Sequence, residues 1–232
     1  MAEHPLDRPV WHALLSRQAA FAVGGASAKR FLPDVGIFAA ARDDSEEALR
    51  ALGDLVPPDG CVILLQPGES PVPSGTRVDK IAMGVQMVAE GVAPCEPMAP
   101  VERLAEADAP AMLELATLTQ PGPFFANTHR LGAFWGIKAN GRLIAMAGER
   151  MKLNGYTEVS GVCTHPDFRG RGYAAMLSRV VAGEILRRGE TPFLHAYATN
   201  TPAINLYRAL GFVLRSPMVV TVLVRCTGGP QS

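Results

Sequence analysis

Between a predicted strand and a predicted helix, the chain reads Arg169-Gly170-Arg171-Gly172-Tyr173-Ala174. Two glycines separated by one residue allow the backbone to turn tightly, so that successive N–H groups converge on one point. The helix that follows adds about half a positive charge at its N-terminus, and the two arginines add two full charges. This segment therefore predicts a binding site for a pyrophosphate group.

The elements around this segment alternate between strand and helix. A strand is predicted over residues 157–164, and the helix that begins at Gly172 carries apolar residues at helical spacing as far as Ile185, with Gly189 as its C-cap. A strand at 193–197 follows, then a helix opened by Thr201-Pro202 and closed by Gly211. Residues 212–225 predict a strand pair bent at Pro217.

Two asparagine-glycine pairs predict hairpins upstream of the glycine-rich segment. Asn140-Gly141 separates the apolar runs 133–137 and 143–147, and Asn154-Gly155 repeats the signal. A short strand at 101–104 and a helix from Asp108 to Leu118 precede them. The order from residue 101 onward is therefore strand, helix, meander, helix, strand, helix and strand.

The proline-rich stretch before residue 101 predicts a domain boundary, because proline neither continues a helix nor donates to a sheet. Residues 1–93 are predicted as an N-terminal α/β region, residues 94–100 as a linker and residues 101–228 as the C-terminal domain. The N-terminal region has predicted helices at 9–23 and 45–55, the second capped by Ser45, and predicted strands at 34–41, 61–65 and 80–88.

Composition excludes several classes of protein. Lys plus Arg and Asp plus Glu both number 22, so no overall field draws the chain toward nucleic acid or a membrane, and neither is an expected partner. The N-terminus is unlike a secretory signal, and no segment has the length of a membrane span. The four cysteines are scattered, without a CxxC pair or a histidine at ligand spacing, which predicts free thiols in the cytoplasm and no metal.

Three motifs together resemble the GNAT superfamily of N-acetyltransferases. Arg169, Gly172 and Ala174 fit the pattern Arg/Gln-x-x-Gly-x-Gly/Ala of that family, and the segments 158–164 and 200–212 also look like its members. The resemblance covers roughly residues 101–225. It implies an α/β (α+β) fold with a mixed, mostly antiparallel sheet flanked by helices, and leaves an additional N-terminal α/β region.

The resemblance implies that acetyl-CoA is the co-substrate and that its acetyl group passes directly to a primary amine, the acceptor being a small amine or a peptide. The backbone of Val162 and Thr164 would bind the pantetheine arm, and the N–H of Val162 or Cys163 would polarise the thioester carbonyl. The implied CoA-binding residues are Val162, Cys163, Thr164, Arg169, Gly170, Arg171, Gly172, Tyr173, Ala174 and Asn200.

Two residues carry the implied chemistry. Tyr207 matches the position of a general acid that protonates the departing thiolate, and the alternative is a core aromatic residue. Glu158 matches a base that accepts the amine proton through water, and the alternative is an outward-facing carboxylate on a strand. Asn200 is either a pantetheine ligand or only a helix cap, and for Cys163 packing is favoured over covalent catalysis.

Three alternatives remain open at the level of sequence. A dinucleotide fold would use Gly170, Gly172, Ala175 and Glu190, but Glu190 precedes its strand and too little chain follows the glycines. A non-catalytic acyl-CoA-binding or sensing module would keep the fold without the transfer. The N-terminal region could be a degenerate copy of the same fold. Neither the acceptor nor the oligomeric state is defined by these motifs.

Overall fold

The computed structural model describes residues 4–93 and 98–226, which form five α-helices and eleven strands. The helices are α1 (Pro9–Leu15), α2 (Glu46–Leu55), α3 (Ala109–Thr119), α4 (Tyr173–Arg187) and α5 (Thr201–Ala209). The strands are β1 (Ala22–Gly24), β2 (Ala28–Phe31), β3 (Ala39–Ala41), β4 (Cys61–Gln66), β5 (Thr76–Ala89), β6 (Glu102–Arg103), β7 (Phe134–Ala139), β8 (Arg142–Leu153), β9 (Tyr156–Thr164), β10 (Thr191–Tyr197) and β11 (Phe212–Arg225). None of the helices in the described residues is long and apolar enough to cross a membrane.

The chain divides into two compact units. The first contains Met1–Pro33, Ile37–Gly84 and Pro217–Ser232, and the second contains Asp34–Gly36 and Val85–Ser216. This division does not coincide with the predicted linker at 94–100, of which residues 94–97 lie outside the described residues. The three-part domain organisation and the role of the N-terminal region stay predictions.

The first unit is built from short antiparallel strands. β2 pairs with β1 on one side and with β3 on the other. β4 pairs with β11 from Gln66 opposite Val219 to Cys61 opposite Val224, and the part of β11 from Pro217 onward belongs to the first unit. Ser45 caps α2, as predicted, by accepting the Ala48 N–H at 3.3 Å.

Two predicted elements in this part of the chain were wrong. The helix predicted over 9–23 ends at Leu15, because residues 22–24 pair with β2 and sheet pairing outweighs a local helical pattern. The strand pair predicted over 212–225 is one continuous strand. Its ladder with β4 begins at Val219, so the missing N–H of Pro217 lies outside that ladder.

The second unit contains a mixed sheet in the strand order β5, β10, β9, β8, β7, β6. β9 and β10 are parallel, whereas β8 with β9, β7 with β8 and β6 with β7 are antiparallel. Asn140 and Gly141 join β7 to β8 with positive φ angles of 50° and 77°, which confirms the predicted hairpin. The predicted fold class is confirmed, and the antiparallel pairs exclude the dinucleotide fold, which has a mostly parallel sheet.

Two helices cover opposite faces of this sheet. Met176, Val181 and Ile185 of α4 share an apolar cluster with Ala145 and Ala147 of β8. The side chain between those alanines, Met146, instead belongs to a cluster with Met112 and Leu115 of α3. Because side chains alternate along a strand, α4 and α3 lie on different faces. The apolar periodicity that predicted α4 therefore marks its buried side.

Candidate functional site

The two parallel strands of the second unit diverge. Their register runs from Tyr156 opposite Thr191 to Glu158 opposite Phe193, and no later pair joins them in the described residues. β9 nevertheless continues to Thr164 and β10 to Tyr197. The C-terminal parts of β9 and β10 therefore form no backbone hydrogen bonds with each other. An extended part of a ligand could instead form hydrogen bonds with the backbone of β9.

A β-bulge lies in the divergent part of β9. Met146 faces Cys163 and Gly148 faces Ser160, so Gly161 and Val162 together oppose the single residue between Met146 and Gly148. Gly161 has a φ of 63°, a conformation that side chains with a Cβ rarely adopt. The bulge therefore changes the direction of the backbone at Val162, and the role of the Val162 or Cys163 N–H in polarising the thioester carbonyl stays a prediction.

The predicted phosphate loop has the expected backbone. Gly170 and Gly172 both have a φ of 77°, and Gly172 is the N-cap of α4. A Cβ added at Gly170 would meet nothing within 4 Å, so its backbone conformation and not a lack of space requires glycine there. The loop thus presents the N-terminus of a helix of 15 residues, as predicted for an anion site.

The two arginines of this loop are fixed by different contacts. The Arg169 Nε donates to the Thr164 carbonyl oxygen at 3.4 Å, and the Arg171 guanidinium lies 4.9 Å from the centre of the Phe168 ring. His165 caps the short turn between them and β9 by accepting the Asp167 N–H at 3.3 Å. In these contacts both positive charges lie beside the N-terminus of α4.

The side chains at the end of β9 differ in chemistry. Burial raises the pKa of the Cys163 thiol to about 11, so the neutral thiol dominates near pH 7 and a covalent acyl-enzyme is disfavoured. The Thr164 hydroxyl is buried without a hydrogen-bond partner among the described residues. Buried hydroxyls normally have a partner, so Thr164 marks a polar position open to further interaction.

Asn200 and Tyr207 lie at the two ends of α5. Asn200 caps the helix, because its Oδ1 accepts the Ala203 N–H at 3.3 Å. Tyr207 is 9% exposed and packs edge-to-face on Phe212 with 6.0 Å between ring centres. Burial and then the charge of Glu158 raise the pKa of the Tyr207 phenol to about 12, which keeps its proton in place near neutral pH.

Glu158 is a fully buried carboxylate in an ion pair. Arg150 Nε and Nη2 donate to its two oxygens at 2.8 and 2.7 Å, and the Met151 N–H donates at 3.2 Å. Burial alone would raise the pKa of Glu158, but the Arg150 charge and hydrogen bonds, with those of His195, lower it to about 2. A general base works best with a pKa near the working pH, so these surroundings favour a fixed anion over a base.

A hydrogen-bonded chain of side chains continues from Glu158 across the sheet. The His195 Nδ1–H donates to Glu158 at 2.7 Å, and the Gln86 amide nitrogen donates to His195 Nε2 at 3.0 Å. Arg215 Nη1 donates to the Gln86 oxygen at 2.8 Å, which fixes the amide orientation and hence the tautomer of His195. This chain holds the Glu158 carboxylate in one position.

Sequence reasoning missed Arg150, His195 and Gln86 as members of this site. One signal was present: a carboxylate in an otherwise apolar strand requires a partner if it is buried. Arg150 lies 8 residues from Glu158 in the sequence, and His195 lies 37 residues from it. Neither separation indicates which residue would be the partner. No group of three or more metal-ligating side chains occurs in the described residues.

The comparisons with known proteins agree on one family. A family model described as FR47-like protein matches residues 134–220. A solved structure of a GNAT-family protein from Novosphingobium aromaticivorans is 44% identical, with a TM-score of 0.91 over 97% of this chain and 100% of that one. No curated protein matches the sequence.

More distant structures share the fold. A GCN5-related N-acetyltransferase from Kribbella flavida is 18% identical, with a TM-score of 0.64 over 97% of this chain and 95% of that one. A GCN5-related N-acetyltransferase-like protein from Streptococcus suis is 16% identical, with a TM-score of 0.58 over 92% of each chain. The 44% identity to the Novosphingobium aromaticivorans protein over nearly the whole of both chains establishes that this chain belongs to the GNAT family.

Proposed function

We propose that this protein transfers an acetyl group from acetyl-CoA directly to a primary amine. The observation that carries the proposal is the divergence of β9 from β10 next to the glycine-rich N-terminus of α4. The loop offers an anchor for the diphosphate of CoA, and the free edge of β9 offers hydrogen bonds to the pantetheine arm. The unpartnered Thr164 hydroxyl at the end of that strand also supports a ligand there.

The proposed reaction begins with attack of a neutral amine on the thioester carbonyl carbon. The bulge at Gly161 and Val162 supplies the backbone N–H that stabilises the negative oxygen of the tetrahedral intermediate. The carbon–sulfur bond then breaks, the Tyr207 phenol gives its proton to the CoA thiolate, and the amine nitrogen loses its proton to solvent.

We assign Glu158 a positioning role in this reaction instead of the base role that the family resemblance implies. Its ion pair with Arg150 and its bond from His195 hold a permanent anion on β9 itself, in the part of the strand that precedes the bulge at Gly161. We further propose a cytoplasmic location, since a reducing compartment would keep Cys61, Cys163 and Cys226 as the free thiols that the structure contains.

Binding and turnover test the proposal separately. Calorimetry should detect acetyl-CoA binding, and Arg171→Glu should weaken it at least about tenfold by placing a negative charge beside the diphosphate. Arg187→Glu, at the C-terminal end of α4, makes the same change of charge about 20 Å from the loop and should leave binding unaltered. If millimolar acetyl-CoA gives no heat of binding and does not raise the thermal stability of the protein, the proposed CoA site is wrong.

Thiol release in the presence of an amine panel tests the transfer. Tyr207→Phe should lower kcat about 100-fold or more, the usual contribution of a general acid. Tyr156→Phe, at the start of β9 and away from the bulge, is the matched control. If acetyl-CoA binds but no amine is acetylated by the unaltered protein, the non-catalytic acyl-CoA-binding alternative is favoured.

A further inference from the structure

We propose that the cavity between α3 and the tip of the β7–β8 hairpin binds an apolar α-amino acid, and that a ligand there strengthens the binding of CoA. The inference goes beyond the proposed transfer, because it concerns a second site that is neither the donor site nor the acceptor site. The cavity has a volume of about 470 Å³, within the usual range for small-molecule sites. All of its lining residues belong to the second unit.

The cavity lies close to the proposed CoA site but is separate from it. His165 lines the cavity, directly follows β9 and begins the turn that leads to the phosphate loop. No described residue of the loop from Arg169 to Ala174 lines the cavity. At about 3.3 Å per residue, His165 lies roughly 10 Å along the chain from the bulge at Val162, where the acetyl group is proposed to react. A ligand in the cavity is therefore compatible with bound CoA and too distant to be the acceptor.

The inner wall of the cavity is apolar. Ala111, Leu115 and Leu118 recur at helical spacing on α3, so one side of this helix faces the cavity, and Leu143 of β8 also lines it. Leu115 and Leu143 are buried, whereas Leu118 is 50% exposed, so the apolar surface continues from the interior to the opening. Because covering such surface is favourable, the wall favours a ligand with an apolar body.

The imidazole of His165 supplies a hydrogen-bond donor. The ring is buried, and its Nδ1 accepts the Asp167 N–H at 3.3 Å, which leaves the proton of the neutral ring on Nε2. The Asp167 carboxylate is 3.7 Å from Nδ1, beyond hydrogen-bond distance. The Nε2–H has no hydrogen-bond partner among the described residues. Since buried N–H groups normally have a partner, His165 offers a donor to an oxygen atom of a ligand.

The charges of the cavity are balanced. Of its lining residues, Glu114 and Arg142 carry opposite charges, and their side chains form an exposed ion pair at 3.6 Å. Such a pair contributes little to stability, so the two side chains can separate at little cost. A ligand with one charge would leave a like charge beside it. An α-amino acid carries both charges close together, so its ammonium group matches Glu114 and its carboxylate matches Arg142 and His165.

A row of ring contacts connects the cavity to the phosphate loop. The His165 ring packs edge-to-face on Phe168 with 5.9 Å between ring centres. The Arg171 guanidinium in turn lies 4.9 Å from the centre of the Phe168 ring. A ligand that holds His165 in one orientation therefore also fixes the ring that carries Arg171. Because less conformational freedom then remains to be lost when CoA binds, the two ligands should bind cooperatively.

Three probes with the same apolar body test the ligand class. Calorimetry without CoA should compare phenylalanine with 3-phenylpropanoate, which lacks the ammonium group, and with phenethylamine, which lacks the carboxylate. We expect phenylalanine to bind at least about tenfold more tightly than either probe, because only phenylalanine makes charge-assisted contacts with both sides of the ion pair. Equal affinity for the three probes, or no binding of phenylalanine at millimolar concentration, would overturn the proposal.

Substitutions at two residues locate the binding site. His165→Asn keeps an acceptor for the Asp167 N–H but lacks the Nε2 donor, and Arg142→Gln removes an exposed charge. Each change should weaken phenylalanine at least about fivefold, and Arg142→Gln should leave CoA affinity in the absence of phenylalanine unchanged. Arg103→Gln, an exposed position outside the cavity, is the control. If both variants bind phenylalanine as tightly as the unaltered protein does, the amino acid binds elsewhere and the assignment is wrong.

Calorimetry with CoA, which cannot donate an acetyl group, measures the coupling without turnover. Saturating phenylalanine should raise CoA affinity at least about fivefold, and saturating CoA should raise phenylalanine affinity by the same factor. Phe168→Leu should reduce this factor toward one while phenylalanine still binds. Unchanged CoA affinity in the presence of bound phenylalanine would contradict the regulatory role. If phenylalanine binds but CoA does not, the proposed function and the coupling are both wrong, whereas the amino-acid site stands.

Discussion

Replacing Glu158 with Gln should remove a pH-dependent part of the stability of this protein. Glu158 is fully buried against Arg150, and its pKa is lowered from the ordinary 4.5 to about 2. A carboxyl group whose pKa is lower in the folded state stabilises the fold above its unfolded pKa. That contribution is lost as the pH falls from about 4.5 toward about 2.

The size of this effect follows from the two pKa values. One pKa unit corresponds to about 1.4 kcal/mol, so the full contribution of Glu158 is roughly 3 kcal/mol, of which about 2 kcal/mol should be lost between pH 7 and pH 3. A glutamine side chain does not titrate, so the stability of Glu158→Gln lacks this dependence on pH. At pH 7 the variant should also be less stable by about 3–5 kcal/mol, because Arg150 keeps its buried charge without the partner.

Urea unfolding at pH 7, 5, 4 and 3 measures both effects. The free energy of unfolding should fall less steeply with acid in Glu158→Gln than in the unaltered protein. Glu114→Gln is the matched control, since that carboxylate is exposed and its ion pair with Arg142 at 3.6 Å should contribute at most about 1 kcal/mol. Parallel acid dependence in all three proteins would refute the idea that Glu158 is a tightly paired anion.

Four further predictions concern three glycines and Tyr207. Gly148→Ala should cost about 1–3 kcal/mol in urea unfolding and slow acetyl transfer, because its Cβ would lie 2.3 Å from the Phe134 ring, which also lies next to Gly161 of the bulge. Gly172→Val should cost about 1–2 kcal/mol through its positive φ and weaken acetyl-CoA in calorimetry. Gly183→Ala, inside α4 with open space around it, should instead stabilise the fold by about 0.5–1 kcal/mol without weakening acetyl-CoA. Since the pKa of Tyr207 is about 12, any loss of kcat between pH 8 and 10 should persist in Tyr207→Phe.

Local geometry made much of the fold predictable. The hairpin at Asn140-Gly141, the cap at Ser45 and the glycines before α4 depend on backbone angles that few residues adopt, so the residue types themselves indicate the structure. The helix predicted over 9–23 failed because its last residues form a hairpin with β2, in which Gly24 faces Lys29. The glycine pair at residues 24 and 25 is a local turn signal, and the apolar periodicity before it obscured that signal.

The surroundings of Glu158 depended on the tertiary structure. Arg150 reaches it across a hairpin whose register is irregular between Glu149 and Lys152, and a one-residue shift would send a side chain to the other face of the sheet. His195 arrives from the neighbouring parallel strand and Gln86 from a strand 109 residues away from it.

The amino-acid sequence alone determined that a helix N-terminus with a glycine loop and two arginines would follow a strand, because each of these features is set by neighbouring residues. Only the folded chain decided whether the carboxylate of Glu158 would be a proton acceptor or a fixed anion. The protonation of a buried group depends on which charges lie within a few ångströms of it, and residues distant in sequence supply those charges.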